Sequence, residues 1–373
     1  MRIVVNTRLL IKDKLDGIGW FTYETLKRIT KEHKEHEFYF LFDRPYSESF
    51  IFSDNIIPLV IGPQSRHPVL WYIWFEYSVR KILKKIKADL FLSPDGYLSL
   101  SSNVKSFPVI HDINFVHRPQ DLPYFSKKYY NYYFPKFAEH ADLIGTVSEY
   151  SKNDIVKQFN VSEDKVKVLY NGCNEIFSPI NDDVKERTRQ KFSDGVNYFI
   201  FIGTLHPRKN IARLFNAFGL FKRETKSDFK LVIVGTKMFM TNDIEKAYSE
   251  SEFKNDIVFT GRLSPEVLHH VLASAYAMTF VPVFEGFGIP LIEAMNAGVP
   301  VISSDQTSLP EVAGDAALFV DPFSLNSIKE GMIKIYNDNK LREELIRKGK
   351  VRKELFSWDK TAENLWNMIT KNF

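Results

Sequence analysis

Residues 283–295 read VFEGFGIPLIEAM and follow the apolar run MTFVP at 278–282. The run has the length and character of a buried strand, and Gly286 and Gly288 then supply a turn that allows positive φ. Pro290 suits the first turn of a helix and Gly298 suits the position past its end, so the spacing predicts a helix from about 289 to 297. Strand, glycine turn and helix together form half of a βαβ unit. The amide groups at such a helix start favour an anion. Glu285 falls in the loop and Glu293 one turn into the helix. Carboxylates beside an anion site make sense if the ligand also carries hydroxyl donors, as a sugar nucleotide does. The plain alternative is a helix cap followed by an exposed glutamate.

Working outward, the same rhythm repeats. Strand-like runs lie at 197–203, 229–235, 256–261, 275–282, 298–304 and 316–321, with amphipathic stretches between them. An earlier series lies at 2–6, 38–42, 88–93, 106–112, 141–148 and 166–172, with helical patterns at 19–33 and 70–87. Alternation of this kind predicts parallel sheets covered by helices on both faces. Between the series, residues 178–196 are polar and carry no strand signal, and they are taken as the passage between domains. The expected organisation is an α/β chain with two Rossmann-like, doubly wound domains facing a cleft. The first spans 1–180 and the second 181–356, with a closing helix at 357–373.

Ligands of such sheets bind at the carboxyl ends of the strands. The glycine turns there are Gly17 and Gly19, Gly203, Gly235, Gly261 and the 286–288 turn. In GTLHPRKN (203–210), Arg208 and Lys209 stand just before a helix. Two cations at a helix start oppose the helix dipole. A diphosphate would explain them, since arginine forks onto phosphate oxygens and lysine adds a point charge. A solvated basic loop is the alternative.

Bulk properties bound the answer. The chain has 373 residues, 44% apolar and 26% charged, which suits two folded domains. The formal net charge is +4 and no basic tract is dense enough to indicate nucleic acid. The single Cys173 rules out an intrachain disulfide framework and fits a reducing cytosol. The opening run lacks the marks of a secretory signal, and no stretch approaches roughly 18 uncharged apolar residues. A peripheral membrane contact stays open through RKILKKIK (80–87) and the aromatic, lysine-bearing YFSKKYYNYYFPKF (124–137). Core packing is the alternative for both, and Pro135 argues against one long helix in the second.

The motifs GTLHPRKN and EGFGIPLIEAMNAGVPVISSDQTSLPEVAGDAALFVDP (285–322), with Glu285 and Glu293 as an E-x7-E pair, resemble glycosyltransferase family 4. DGIGWFTYETL (16–26), VIHDINF (109–115), LIGTVSEYSKNDI (143–155) and VLYNGCNEIF (168–177) extend the resemblance through most of the chain. It implies the GT-B fold, retention of anomeric configuration, and a final helix crossing back to the first domain. The nearest likeness is to bacterial mannosyl- or rhamnosyl-type transferases of O-antigen or capsule assembly. That implies GDP-mannose as donor, with UDP-linked sugars the alternative, and a glycan or lipid-linked glycan as acceptor. It further implies a cytoplasmic enzyme, at the inner face of the membrane if it touches one.

By the same resemblance, Arg208 and Lys209 neutralise the leaving diphosphate and Glu285 contacts the transferred sugar. Gly203 and the segment Gly286, Phe287, Gly288 and Ile289 line the donor site, and Glu293 takes the ribose hydroxyls. Gly261 to Leu263 face the base. Gly17 and Gly19 approach the phosphate, and His111 faces the sugar. Asp112 orients His111, holds acceptor, or caps its own loop. The sequence contains no Asp-x-Asp pair, so no metal and no cofactor beyond the donor is expected. Two other readings stand beside this one. The first is another enzyme on the same architecture, an epimerase or a phosphorylase-like protein. The second is a binding subunit without catalysis.

Overall fold

The computed structural model describes residues 1–236 and 241–373. The chain divides into two compact units, Met1–Gly172 with Ser357–Phe373, and Cys173–Phe356.

In the first unit, β1 (Arg2–Asn6), β2 (Glu37–Phe42), β3 (Ile56–Val60), β4 (Leu90–Ser93) and β5 (Lys105–Pro108) form a parallel sheet in the order β3-β2-β1-β4-β5. A parallel pair, β6 (Ile144–Thr146) and β7 (Val166–Val168), continues it through a bridge between Val109 and Gly145. Alternation along β1 feeds two layers. Ile3 and Val5 join a core with the helices Gly17–Glu32 and Trp358–Asn372, and Val4 joins one with Trp74, Phe75, Phe134 and Phe137. The sequence patterns missed β3, because Pro58 interrupts its apolar run. The sheet places that strand at its edge, where a residue without an N–H is tolerated.

Two expectations for this unit need correction. Tyr124–His140 is one helix running through Pro135. An internal proline costs about 3 kcal/mol, and burial of Tyr129, Phe134 and Phe137 offsets it. The helical stretch near 70–87 is Pro68–Ile73, then a π turn at Trp74–Val79, then Arg80–Ile86.

The second unit holds β8 (Tyr198–Ile202), β9 (Lys230–Val234), β10 (Ile257–Gly261), β11 (Ala277–Phe280), β12 (Val301–Ser304) and β13 (Ala317–Val320). All are parallel, in the order β10-β9-β8-β11-β12-β13. The winding therefore reverses between β8 and β11, which is where open α/β sheets leave a crevice at their carboxyl ends. The units divide at Gly172–Cys173, ahead of the 180/181 division expected from polarity. Residues 173–180 pack on the second core through Phe177, Ile176 and Ile180. The polar stretch after them is a surface helix, Asp182–Ser193.

The C-terminal helix belongs to the first unit. Thr361 Oγ1 donates to the Tyr170 carbonyl at 2.6 Å, and the Trp366 ring stacks on His33 at 4.0 Å. A Cβ on Gly172 would lie 2.2 Å from the Trp358 backbone nitrogen. Backbone cannot yield as a flexible side chain does. Gly172→Ala is expected to displace the start of that helix and lower the first unit's melting temperature by several degrees, with altered Trp358 fluorescence. An unchanged melting curve and spectrum would show that the close approach carries no constraint.

Candidate active site

The site is built at the β8/β11 switch point. After β8 the chain turns through Gly203 to a short 3-10 turn, Pro207–Lys209. The turn is fixed from below by Asn210, a buried residue in the left-handed conformation. Its Nδ2 donates to the carbonyls of Val281 at 3.0 Å and Pro322 at 2.7 Å, which follow β11 and β13. The Arg208 carbonyl in turn accepts from the Val283 amide at 2.9 Å. The loops after β8 and β11 thus hold each other by backbone and amide bonds.

This lattice brings Arg208, Lys209 and Glu285 together. Arg208 Nη1 donates to Glu285 Oε2 at 2.8 Å and to the Phe284 carbonyl at 3.2 Å. Lys209 Nζ donates to the same Oε2, and its ammonium lies 5.0 Å from the centre of the Phe280 ring. The Glu285 backbone is anchored as well, its amide to Thr307 Oγ1 at 3.3 Å and its carbonyl to Ser308 Oγ at 2.9 Å. Burial alone would raise the Glu285 pKa, but the charges of Lys209 and Arg208 outweigh it and hold the carboxyl below its usual range.

Glu293 has the opposite environment. It lies in the helix Ile289–Asn296, half-buried, and burial pushes its pKa up to about 7 with no cation to oppose it. Cys173 is close enough to feel its charge, and that thiol is pushed well up, first by burial and then by Glu293. The helix is entered through Gly288, whose φ of 99° disfavours a side chain and where a Cβ would lie 2.6 Å from Leu309 Cδ2, so that Leu309 would have to shift. Gly286 and Phe287 are buried, and the Phe287 ring packs edge-on to Phe356 at 5.6 Å between centres. That ring is committed to the core. Ile289 begins the helix and is half-buried.

The other glycine turns of this unit meet along the same edge. The Gly203 amide donates to the Val234 carbonyl at 2.9 Å, and the Gly235 amide to the Gly261 carbonyl at 3.0 Å. Leu263 follows Gly261 and packs on the rim of the core. Among the described residues, no group of three or more His, Cys, Asp or Glu is placed to hold a metal ion.

In the first unit, His111 Nε2 lies 2.9 Å from the Pro94 carbonyl, and Phe21 meets the His111 ring edge-on at 5.1 Å. Burial lowers its pKa against the pull of that carbonyl and of Asp112, Asp16 and Asp95, so the ring is neutral at pH 7. A neutral ring bonded to a carbonyl carries its proton on Nε2. Of the three roles open to Asp112, the geometry favours the loop cap, because Oδ1 accepts from the Asn114 amide at 3.0 Å and from Asn114 Nδ2 at 2.7 Å. Gly17 opens the helix Gly17–Glu32, exposed. The Gly19 amide is given to its N-cap, Asp16 Oδ1, at 3.0 Å.

Sequence reasoning passed over one cluster. Asn6 ends β1 and Arg8 lies just past it, and both meet Asp95 after β4, with Asn6 Nδ2 to Oδ1 and Arg8 Nε to Oδ2 both at 2.6 Å. Arg8 also lies over the Tyr97 ring at 4.3 Å. Order β3-β2-β1-β4-β5 makes β1/β4 the switch point of this sheet, and two polar residues closing an apolar strand were the available signal.

Two family models match the chain. Residues 15–175 match Glycosyltransferase Family 4 and residues 182–352 match Glycosyl transferases group 1. This chain belongs to the glycosyltransferases. It is 28% identical to the O-antigen chain mannosyltransferase B of Escherichia coli, over 96% of this chain and 97% of that one. It is 26% identical to the O-antigen chain mannosyltransferase RfbU of Salmonella typhimurium, over 74% of each. It shares its fold with WaaG, a glycosyltransferase involved in lipopolysaccharide biosynthesis, at a TM-score of 0.77 and 15% identity over 99% of this chain and 100% of that one. The architecture of this glycosyltransferase is GT-B, with two parallel-sheet domains.

The raised pKa of Glu293 has a stability consequence. Its neutral form is the one the folded state favours, so its contribution is full below the unfolded value of 4.5 and is lost as pH rises toward about 7. Between pH 5 and pH 8 the wild type is expected to lose on the order of 2 kcal/mol that Glu293→Gln keeps. Urea unfolding of both proteins at the two pH values measures this. Parallel pH profiles would mean that Glu293 titrates as an ordinary glutamate.

Proposed function

We propose that this glycosyltransferase moves a hexose, mannose from GDP-mannose, to a glycan or lipid-linked glycan acceptor in cell-surface polysaccharide synthesis. The transfer retains anomeric configuration, needs no metal ion, and takes place on the cytoplasmic side. The observation that carries the donor half is the pairing of Arg208 and Lys209 on one oxygen of Glu285 at the β8/β11 switch point. Likeness to O-antigen mannosyltransferases, with E. coli mannosyltransferase B matched over nearly the whole chain, supports the choice of sugar and acceptor class.

Chemistry at this site follows from where charge grows. As the sugar departs, negative charge accumulates on the diphosphate and positive character on the anomeric carbon. Arg208 and Lys209 are fixed before the donor arrives, so little reorganisation is needed to meet the phosphate oxygens. Glu285 stays ionised between them, and Oε1 is the oxygen available to a sugar hydroxyl. A carboxylate shared by two cations is a weak nucleophile. That favours departure and attack on one face over a covalent glycosyl intermediate of the retaining-glycosidase kind. Glu293 accepts from the ribose hydroxyls, Gly203 and the 286–289 backbone line the diphosphate and sugar, and Gly261 to Leu263 meet the base. His111 presents a neutral imidazole to the sugar, with Nε2 held by Pro94 and Nδ1 left as an acceptor.

Arg208→Ala is expected to lower kcat by roughly 10²–10³, the scale of losing one charge-stabilising donor, with the product's anomeric configuration unchanged by NMR. Turnover within tenfold of wild type would remove Arg208 from the reaction. Ribose hydroxyls donate to the ionised form of Glu293, whose pKa is about 7. Sugar-nucleotide affinity is therefore expected to rise about tenfold from pH 6 to pH 8, and this rise should vanish in Glu293→Gln. A sugar nucleotide does not itself titrate in that range, so a flat wild-type profile would place the ribose elsewhere.

A further inference from the structure

The first unit buries an ion pair at the carboxyl edge of its sheet. Arg8 and Asp95 are only 8% and 9% exposed, and Asn6 beside them is 3% exposed. Arg8 Nη1 donates to Ser65 Oγ at 3.3 Å, and its guanidinium lies 5.6 Å from the centre of the Phe75 ring as well as over Tyr97. Burial opposes the charge on Arg8, and Asp95 outweighs that cost. A buried pair of this kind gains little stability over apolar side chains of the same volume. Its worth therefore lies in what it holds in place.

Asp95 sits in a tight turn. The Ser93 carbonyl accepts from the Gly96 amide at 3.1 Å, which makes Pro94 and Asp95 the middle residues. The same carbonyl accepts from the Val109 amide at 2.9 Å and so joins the turn to the strand end that carries His111. The Pro94 carbonyl, which His111 Nε2 meets at 2.9 Å, belongs to the central peptide of this turn. Rotation of that peptide separates type I from type II turns, and type II needs positive φ at the third residue. Asp95, the third residue here, has no positive φ. Its carboxylate accepts from Asn6 Nδ2 and Arg8 Nε, both at 2.6 Å, and from Ser93 Oγ at 3.2 Å. Gly96 follows at φ 85°, where a Cβ would lie 3.1 Å from Phe134 and 3.3 Å from Ile110. The turn is gripped on one side by Asn6 and Arg8 and on the other by the core.

We infer that Asn6, Arg8 and Asp95 are positioning residues for His111. By fixing the central peptide they aim the Pro94 carbonyl at Nε2, and that carbonyl decides which ring nitrogen carries the proton. With the proton on Nε2, the neutral ring presents Nδ1 as an acceptor. Rotation of the peptide would turn the Asp95 amide toward the ring in place of the carbonyl and favour the opposite tautomer. The inference rests on the reading of His111 as the group that faces the sugar, and the three residues act through that ring.

The experiment is nitrogen NMR of the full chain with isotopically labelled histidine, in which two-bond couplings report the protonation of each ring nitrogen. Loss of one signal in His111→Ala identifies it among the nine histidines. At pH 7 the wild type is expected to show a neutral His111 with its proton on Nε2. Two variants release the turn, Asp95→Asn and Arg8→Met/Asp95→Leu, and the second leaves no buried charge unpaired. In both, the two tautomers are expected to mix. The kcat for GDP release from GDP-mannose should fall roughly tenfold or more, with KM within about threefold. Arg8→Lys, which keeps the charge, is expected to hold more of both readouts than either. A wild-type proton on Nδ1, or an undisturbed Nε2–H signal in the double variant, would overturn the inference whatever the rates. Mixed tautomers beside a wild-type kcat would keep the clamp and remove His111 from the reaction, so the two readings fail separately.

Discussion

Two cations adjacent in sequence share one carboxylate oxygen at the point where the second sheet reverses its winding. Arg208 and Lys209 repel each other and oppose the dipole of the helix behind them. Glu285 offsets that repulsion, and much of the surrounding backbone serves to hold the contact. Asn210 ties the turn to the ends of β11 and β13. Thr307 and Ser308 hold the backbone of Glu285 from the other side. The result is a fixed cluster of positive charge at a strand edge, which is what a departing diphosphate needs.

The two glutamates of the E-x7-E pair are separated by environment more than by sequence. Glu285 is held ionised by its cations, and Glu293 is lifted toward neutrality by burial alone. In the role proposed for Glu293, a carboxylate that accepts from hydroxyls and titrates near neutrality couples ligand affinity to pH. A carboxylate clamped between cations does not. Divergent pKa values within one site are how side chains of one type take different roles.

Much of this was legible in the chain itself. The alternation of apolar runs and helical patterns marked twelve of the thirteen strands among the described residues, because parallel strands buried on both faces read as unbroken apolar segments. Gly286, Gly288 and Pro290 marked the start of the helix at 289. What escaped was set by tertiary context. Pro58 hid an edge strand, aromatic burial carried a helix through Pro135, and a polar surface helix imitated a linker. The pairing of Arg208 and Lys209 with Glu285 spans more than seventy residues, and nothing local encodes it. The bond from Asn114 to Asp112 is local, but the sequence alone left that loop cap beside two other roles.

The central claim is that Arg208 and Lys209 form a diphosphate site that needs no metal. Calorimetric titration with GDP, UDP, dTDP and CDP in EDTA tests it most directly, with the Arg208→Ala variant as control. The account predicts that one of these nucleotides binds clearly in EDTA and at least tenfold more weakly to the variant. Binding that appears only after magnesium or manganese is added, with no loss in the variant, would contradict it.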